Sequence, residues 1–497
     1  MTKEHMNQPK TAVGISGMSL YVPPLCVNLE DWCAWTGQPW EKVRNVVGES
    51  FRYPAPDENV YTMAATAVLR LIEAYDIDPR QVGFLALGTE SSTDNAAGAI
   101  IVRGMLDRAL EERGRPRLAR DCEVPEYKHA CLGGIYALKG AVRYLRCDGA
   151  GRKAIVVCGD VAEYERGSSG EQTQGAGAVA MLVDEDARLV TIDLSASASA
   201  SDYRGPDFRK PFARHFAADY APNVHRLHDF PVFSGKYSTY AYLDETCQVV
   251  DRLVERLATE PLTLFEESRA IFFHRPYRHM PIRAMAALYV RALARSPTRR
   301  AEVEALCEQA DVSADALLRE CAEEPDLFAG VEKGSDADPH PVTAAVASVL
   351  RKTEAFRDLV ADKLGLGAER AMHLGNLYTA ALPAWLAAGL EEAAAQGVEL
   401  ASERLLAIGY GSGDAAEALT LYVSPEWRDA AAKIGIAEAL QHPSVLTREQ
   451  YEALHDRNDA SSIAPPVAER FVITRVGDRH EATFQDLGVE YYALEAS

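Results

Sequence analysis

A cysteine, a glutamate, a histidine and an asparagine each stand where an apolar segment of this chain ends or a helix begins. In EYKHACLGGIYALKGAVRYL, residues 126–145, Cys131 precedes Gly133 and Gly134. The stretch that follows repeats Ile135, Leu138, Val142 and Leu145 at helical spacing. The unpaired N–H groups and partial positive charge of a helix N-terminus favour a thiolate over a thiol. The two glycines let another group come close to the backbone. A small buried cysteine filling a gap is the competing reading. In LALGTESSTDN, Glu90 follows an apolar strand. In AIFFHRPY, His274 does the same just before Pro276, and in MHLGNLYTAAL, Asn376 follows a glycine at a helix start. Exposure, packing and helix capping account for each of these singly. Four such signals at strand ends and helix starts, where open α/β sheets hold their ligands, weigh more together than any one alone.

Several elements must position such a set. AVGISGMSLYV (12–22), FLALGT (84–89), AIVVCGD (154–160), AVAMLV (178–183), AIFFH (270–274), LLAIGYG (405–411) and LTLYV (419–423) are short, apolar and rich in β-formers, which predicts strands. MAATAVLRLIEAY (63–75) and the stretch after Cys131 predict helices between them. Buried strands alternating with helices give an α/β architecture. The small, polar SASASASDYRG (195–205) reads as a connection between two halves. The stretch from about 295 to 338 is charged, mostly acidic and helical in composition, and reads as a surface insertion. PEWRDAAAKIGIAEALQHP (425–443) reads as a helical region. No 20–50-residue period repeats.

The 497 residues are 47% hydrophobic and 25% charged, the balance of a globular protein with room for several domain-sized units. Neither a signal-peptide stretch nor a membrane-spanning run is visible, so a cytoplasmic protein is expected. Nine cysteines without a C-x-x-C pair argue for reduced thiols rather than a disulfide or zinc framework. A net charge of −21 excludes a nucleic-acid binder that needs a basic face, and requires a local basic patch for any anionic ligand. Arg204, Arg209, Lys210 and Arg214 make one such patch in sequence, and Arg275, Arg278 and Arg283 another. Solvated surface is the simpler reading of both.

Three motifs mislead. GAGAVA (175–180) has the spacing of a dinucleotide-binding turn. It follows polar SSGEQTQ and leads into a strand-like run, the wrong order for that turn. His215, His225 and His228 lack the flanking spacing of a metal site and read as loop histidines. GYGSG (409–413) is not the hydrolase elbow, since its serine does not stand between the outer glycines as G-x-S-x-G requires. It reads as a tight turn at a strand end.

The ordered blocks GISGMSLYVP, GTESSTD, HACLGG, GDVAEYERGSSGEQTQGAGAVA, FPVFSGKYS, FFHRPY, GNLYTAAL and GYGSG carry a resemblance. From about residue 10 to about 425 the chain resembles the hydroxymethylglutaryl-CoA synthases of the thiolase superfamily. The resemblance implies a thiolase-like layered α/β/α/β/α sandwich built from two similar halves, normally dimeric. Residues 10–190 would form the N-terminal half with Glu90 and Cys131. Residues 191–497 would form the C-terminal half with His274, Asn376 and the insertion.

The resemblance also implies roles. Cys131 would carry an acetyl group taken from a thioester, with backbone N–H groups at the helix start available to a developing oxyanion. Glu90 would remove a proton from the acetyl methyl group. His274 would bind the ketone oxygen of a β-ketoacyl thioester and supply its proton. Asn376, Gly411, Ser412, Tyr164 and Arg278 would bind substrate. Coenzyme A thioesters are substrates here, so no separate cofactor and no metal are implied. Two versions stay open: free acetoacetyl-CoA feeding isoprenoid synthesis, or substrates on acyl carrier protein in polyketide β-branching. A ketoacyl synthase III-like Claisen enzyme using Cys131, His274 and Asn376, or a non-catalytic scaffold of this fold, are the alternatives. Leu132, Ser234 and Ala381 depart from the family's usual aromatic, aspartate and serine, which leaves the acceptor open.

Overall fold

A computed structural model describes residues 12–211, 220–335, 337–464 and 468–495 of the chain. Arg214 and His215 lie outside the described residues. Nine strands form the central sheet: β1 Gly14–Tyr21, β2 Val82–Gly88, β3 Glu126–Tyr127, β4 Lys153–Ala162, β5 Gly175–Asp184, β6 Val190–Ser201, β7 Ser268–Phe273, β8 Arg404–Gly411 and β9 Ala415–Val423. Their order is β3-β2-β4-β5-β1-β6-β9-β8-β7. β1 and β6 meet over only two residue pairs, Gly14 with Thr191 and Ile15 with Val190.

That short seam divides two halves of the same topology. On one side β1–β5 and β5–β4 are antiparallel and β4–β2 is parallel. On the other, β6–β9 and β9–β8 are antiparallel and β8–β7 is parallel. Alternate residues of one strand serve different cores: Phe84 and Ala86 enter one apolar cluster, Leu85 and Leu87 another. Both faces are therefore covered, as the continuous apolar runs of these strands require. Helix α1 (Val60–Ala74) covers one face of the first half and α3 (Gly235–Leu257) packs on β6 and β9. Between the halves run α2 (Gly133–Leu145) and α4 (Ala381–Gln396). The result is the layered α/β/α/β/α sandwich of the thiolase-like fold.

Two glycines make the middle layer fit. A Cβ on Gly88 would lie 2.5 Å from Gly134 Cα, and one on Gly409 would lie 2.7 Å from Leu132 Cδ1. GAGAVA opens strand β5 rather than a helix. A Cβ on its Gly175 would lie 2.5 Å from Asn376 O, so this glycine admits the Asn376 loop instead of a pyrophosphate.

Two expectations need correction. SASASASDYRG is no connection: residues 190–201 are strand β6, whose small Ser and Ala side chains alternate beneath α3. The insertion is not only surface. Its helices Arg300–Gln309 and Ala314–Cys321 bury Val303, Leu306, Cys307, Leu317 and Cys321 in the main core. Beyond β9 the chain returns to the first half. Helix α5 (Arg448–Arg457) packs Tyr451 and Leu454 with Leu29 and Trp32, and Phe471 joins the α1 core.

Candidate active site

Glu90 follows Thr89 at the end of β2, Cys131 stands two residues before α2, and His274 directly follows β7. Strand ends from both halves thus converge on the N-terminal end of α2. Cys131 Sγ lies 3.8 Å from Glu90 Oε2, and both groups are almost wholly buried. Cys131 and His274 line one cavity of about 280 Å³, together with Tyr164, Asn376 and Ser412.

Two buried charges hold the glutamate. Lys210 Nζ lies 3.4 Å from Glu90 Oε1 and 3.1 Å from Asp229 Oδ2. Asp160, fully buried in β4, accepts hydrogen bonds from Glu90 N (2.8 Å) and Ser91 N (3.0 Å) through Oδ1. Its Oδ2 accepts from Thr379 N at 2.9 Å, on the loop that carries Asn376. One carboxylate from the first half therefore fixes the backbone of the candidate base and a loop of the second half.

The electrostatics differ from the sequence expectation at the thiol. Burial, then the negative charges of Glu90 and Asp160, push the Cys131 thiol well above its ordinary value. The helix terminus does not yield a resting thiolate, because desolvation in this pocket outweighs it. Nor are the next amides free: Leu132 N donates to His129 O (2.9 Å) and Gly133 N to Ala130 O (3.4 Å). These two are not available to an oxyanion. Burial raises Glu90 to about 7 against the opposing pull of Lys210. Burial also lowers His274 to about 3, so its imidazole is neutral and lends no positive charge to the thiol. His274 is set by its backbone, with N donating to Ile408 O (2.7 Å) and O accepting from Tyr242 Oη (2.8 Å). Its Nδ1 has no partner among the described residues.

The remaining expected residues separate. Asn376 Oδ1 accepts from Tyr378 N at 2.9 Å, a local turn at the cavity wall. Ser412 and Tyr164 line the cavity. Gly411 does not: a Cβ there would lie 2.7 Å from His129 O, so it serves close packing behind the thiol. Arg278 is half-buried outside the lining, its N donating to O of Val47, which does line the cavity. Arg275 is buried beneath the site, donating to Ala368 O and lying over Trp385. Arg204 is buried among Asp244, Glu245 and Asp414. Neither arginine belongs to a solvated patch.

Sequence reading missed Asp160 as an anchor, although it closes the apolar run AIVVCGD much as Glu90 follows FLALGT. It also missed the aromatic wall of Tyr378, Phe208 and Phe233 around Tyr164. Leu132, in place of an aromatic, is fully buried against Gly409 and Gly411. Ser234 precedes α3 without capping it, and Ala381 begins α4. Among the described residues no group of three His, Cys, Asp or Glu is arranged to hold a metal ion.

Residues 8–188 match the family model described as hydroxymethylglutaryl-coenzyme A synthase N terminal. A hydroxymethylglutaryl-CoA synthase of Haloferax volcanii is 28% identical over 485 residues, covering 96% of this chain and 99% of that one. Over nearly its whole length the chain is similar to hydroxymethylglutaryl-CoA synthases. The solved structure of MvaS in complex with 3-hydroxy-3-methylglutaryl coenzyme A superposes with a TM-score of 0.74 at 26% identity. It covers 97% of this chain and 99% of that one. The curacin biosynthetic pathway HMG synthase in complex with acetyl donor-ACP shares the fold, with a TM-score of 0.69 at 19% identity over 97% of this chain and all of that one. No described helix of the chain is long and apolar enough to cross a membrane.

Proposed function

We propose that the chain is a hydroxymethylglutaryl-CoA synthase-type condensing enzyme, and the observation that carries this reading is the 3.8 Å approach of Cys131 Sγ to Glu90 Oε2. The Cys131 sulfur attacks an acetyl thioester and the acetyl group passes to it. The thiol proton, for which Glu90 is the nearest acceptor, leaves on the sulfur of the departing carrier. Glu90, again ionised, takes a proton from the methyl group of acetyl-Cys131. A carboxylate raised to about 7 is a stronger base than an exposed one and is still ionised near neutrality. The enolate carbon bonds to the ketone carbon of a β-ketoacyl thioester. His274, neutral in the resting site, donates an N–H hydrogen bond to the ketone oxygen as it becomes an alkoxide. The proton held by Glu90 completes the hydroxyl, and water then releases the product from Cys131.

Glu90 separates this reading from a decarboxylating ketoacyl synthase, which generates its carbanion without a base. Acetyl-CoA and acetylated acyl carrier protein are the two donors to test, since MvaS was solved with a CoA product and the curacin enzyme with a donor carrier protein. Wild-type protein with labelled donor should carry acetyl on the Cys131 peptide and convert acetoacetyl thioester to product. Glu90→Ala should still accumulate acetyl-Cys131, more slowly, while condensation falls at least about a thousandfold. No labelling from either donor would leave the scaffold reading standing. Condensation of a malonyl thioester surviving in Glu90→Ala would establish the Claisen reading.

A further inference from the structure

A second cavity, of about 70 Å³, lies on another face of α3 from the acetyl-transfer site. It is enclosed by α3, the helix His279–Arg295 and the helix Pro341–Leu350 with the residues flanking it. Its volume is several times what one water needs. Three arginines line it, Arg283, Arg291 and Arg351, against one carboxylate, Asp338.

Apolar side chains make up much of the lining, and the polar groups set among them are incompletely paired. Arg291 is 4% exposed, yet its Nε and Nη1 have no partner among the described residues, while its Nη2 lies 3.2 Å from Asp251 and donates to Cys321 O at 3.0 Å. Asp251 also serves Arg295, so one carboxylate answers two guanidinium groups. Thr343 is 3% exposed and its Oγ1 has no partner among the described residues. Arg351 is held by His279 Nε2 at 3.0 Å, a neutral partner, and is disfavoured as a cation by burial and then by Arg283. His340 contacts Asp244 Oδ1 through Nε2 at 2.8 Å, and its buried Nδ1 has no partner among the described residues. Buried guanidinium, hydroxyl and imidazole atoms left without partners are rare in folded proteins, and here four of them share one cavity.

We infer that this cavity is a binding site for a small phosphate-class oxyanion, distinct from the acetyl-transfer site. Arg291 and Thr343 donate to its oxygens, the charges of Arg283 and Arg351 offset its own, and a P–OH donates to His340 Nδ1. The last contact selects phosphate, which keeps a P–OH at neutral pH, over sulfate, which does not. The site has a ready route to the catalytic groups. Tyr240 and Leu243 of α3 face the oxyanion cavity, while Thr239 and Tyr242 of the same helix face the other one. Tyr242 holds the backbone of His274.

The test uses full-length protein and inorganic phosphate, with sodium chloride of equal ionic strength as the reference. Phosphate should raise Tm saturably by at least about 2 °C, and sulfate by less. Thr343→Val and Arg351→Gln should fold with near wild-type Tm in chloride and lose the phosphate shift, while still accepting acetyl on Cys131. Arg291→Met tests the floor of the site, and its pairing with Asp251 makes a lower basal Tm expected. No shift beyond chloride, an equal shift with sulfate, or a full shift retained in the Thr343→Val/Arg351→Gln double variant would each overturn the assignment.

Discussion

Lys210 and Cys131 hold opposite oxygens of the same carboxylate: Nζ is 3.4 Å from Glu90 Oε1, and Sγ is 3.8 Å from Oε2. The lysine keeps the glutamate ionisable in a pocket that would otherwise protonate it, because burial alone raises its pKa and Lys210 opposes that rise. Lys210→Met should move Glu90 above about 7. The acid limb of the pH–rate profile should then shift up by about one unit, with activity at pH 7 falling about fivefold and recovering toward pH 9. A uniform loss at all pH values would mean that Lys210 acts on the fold rather than on the base.

The resting thiol is protonated, which sets its reactivity toward alkylating agents. Cys147 is exposed and the other eight cysteines are buried. Iodoacetamide at pH 8 should label Cys147 first, with Cys131 reacting at least about tenfold more slowly, as peptide mass mapping would record. Glu90→Gln removes a charge that raises the thiol's pKa, so it should speed labelling of Cys131. Labelling of Cys131 ahead of Cys147 would establish the thiolate that the helix start suggests.

His274 links stability to acid. Its folded pKa, lowered by burial to about 3, lies below the ordinary histidine value near 6.5. Keeping it neutral therefore contributes stability above pH 6.5 that is lost as pH falls toward 3. Between pH 7 and pH 4 the loss amounts to about 3 kcal/mol. Glu90 has the opposite sign: raised by burial, it contributes most below about 4.5 and loses that contribution as pH rises through about 7. Urea unfolding of His274→Gln should fall less between pH 7 and pH 4 than that of wild type. Parallel pH curves would remove the buried, neutral histidine from the account.

A buried ion pair spans the two halves. Lys139 Nζ of α2 lies 2.5 Å from Glu417 Oε2 of β9, and Ser199 of β6 donates to Glu417 Oε1 at 2.7 Å. Lys139→Met leaves a buried carboxylate without its cation and should cost about 3–5 kcal/mol in denaturant unfolding. Adding Glu417→Leu should recover most of that loss, because two apolar groups can replace a pair where one cannot.

The strands were legible because they are apolar runs buried on both faces, and FLALGT or LLAIGYG need no neighbour to be read as such. β6 was hidden because alternating Ser and Ala suggest a linker, although alternation is itself a strand signal. The insertion hid its packing in the same way: Val303, Leu306 and Leu317 are few among many charges, and only contact with the helix His279–Arg295 makes them core. At the site, Glu90, Cys131 and His274 were findable as chemistry at element ends. Lys210 read as part of a basic patch, since the sequence gives no sign that it turns inward. The charge states of Cys131 and His274 follow from how much water the fold removes, and no local motif encodes that.

Asp160 sits where a hinge would have to bend. Spreading the two halves like a book would tear Thr379 from the same carboxylate that braces Glu90, and leave an ion stranded in an apolar seam. With the halves pinned together, the way to the sulfur is the cavity that Cys131 shares with His274 and with the apolar side chains of Val46, Val47 and Met280.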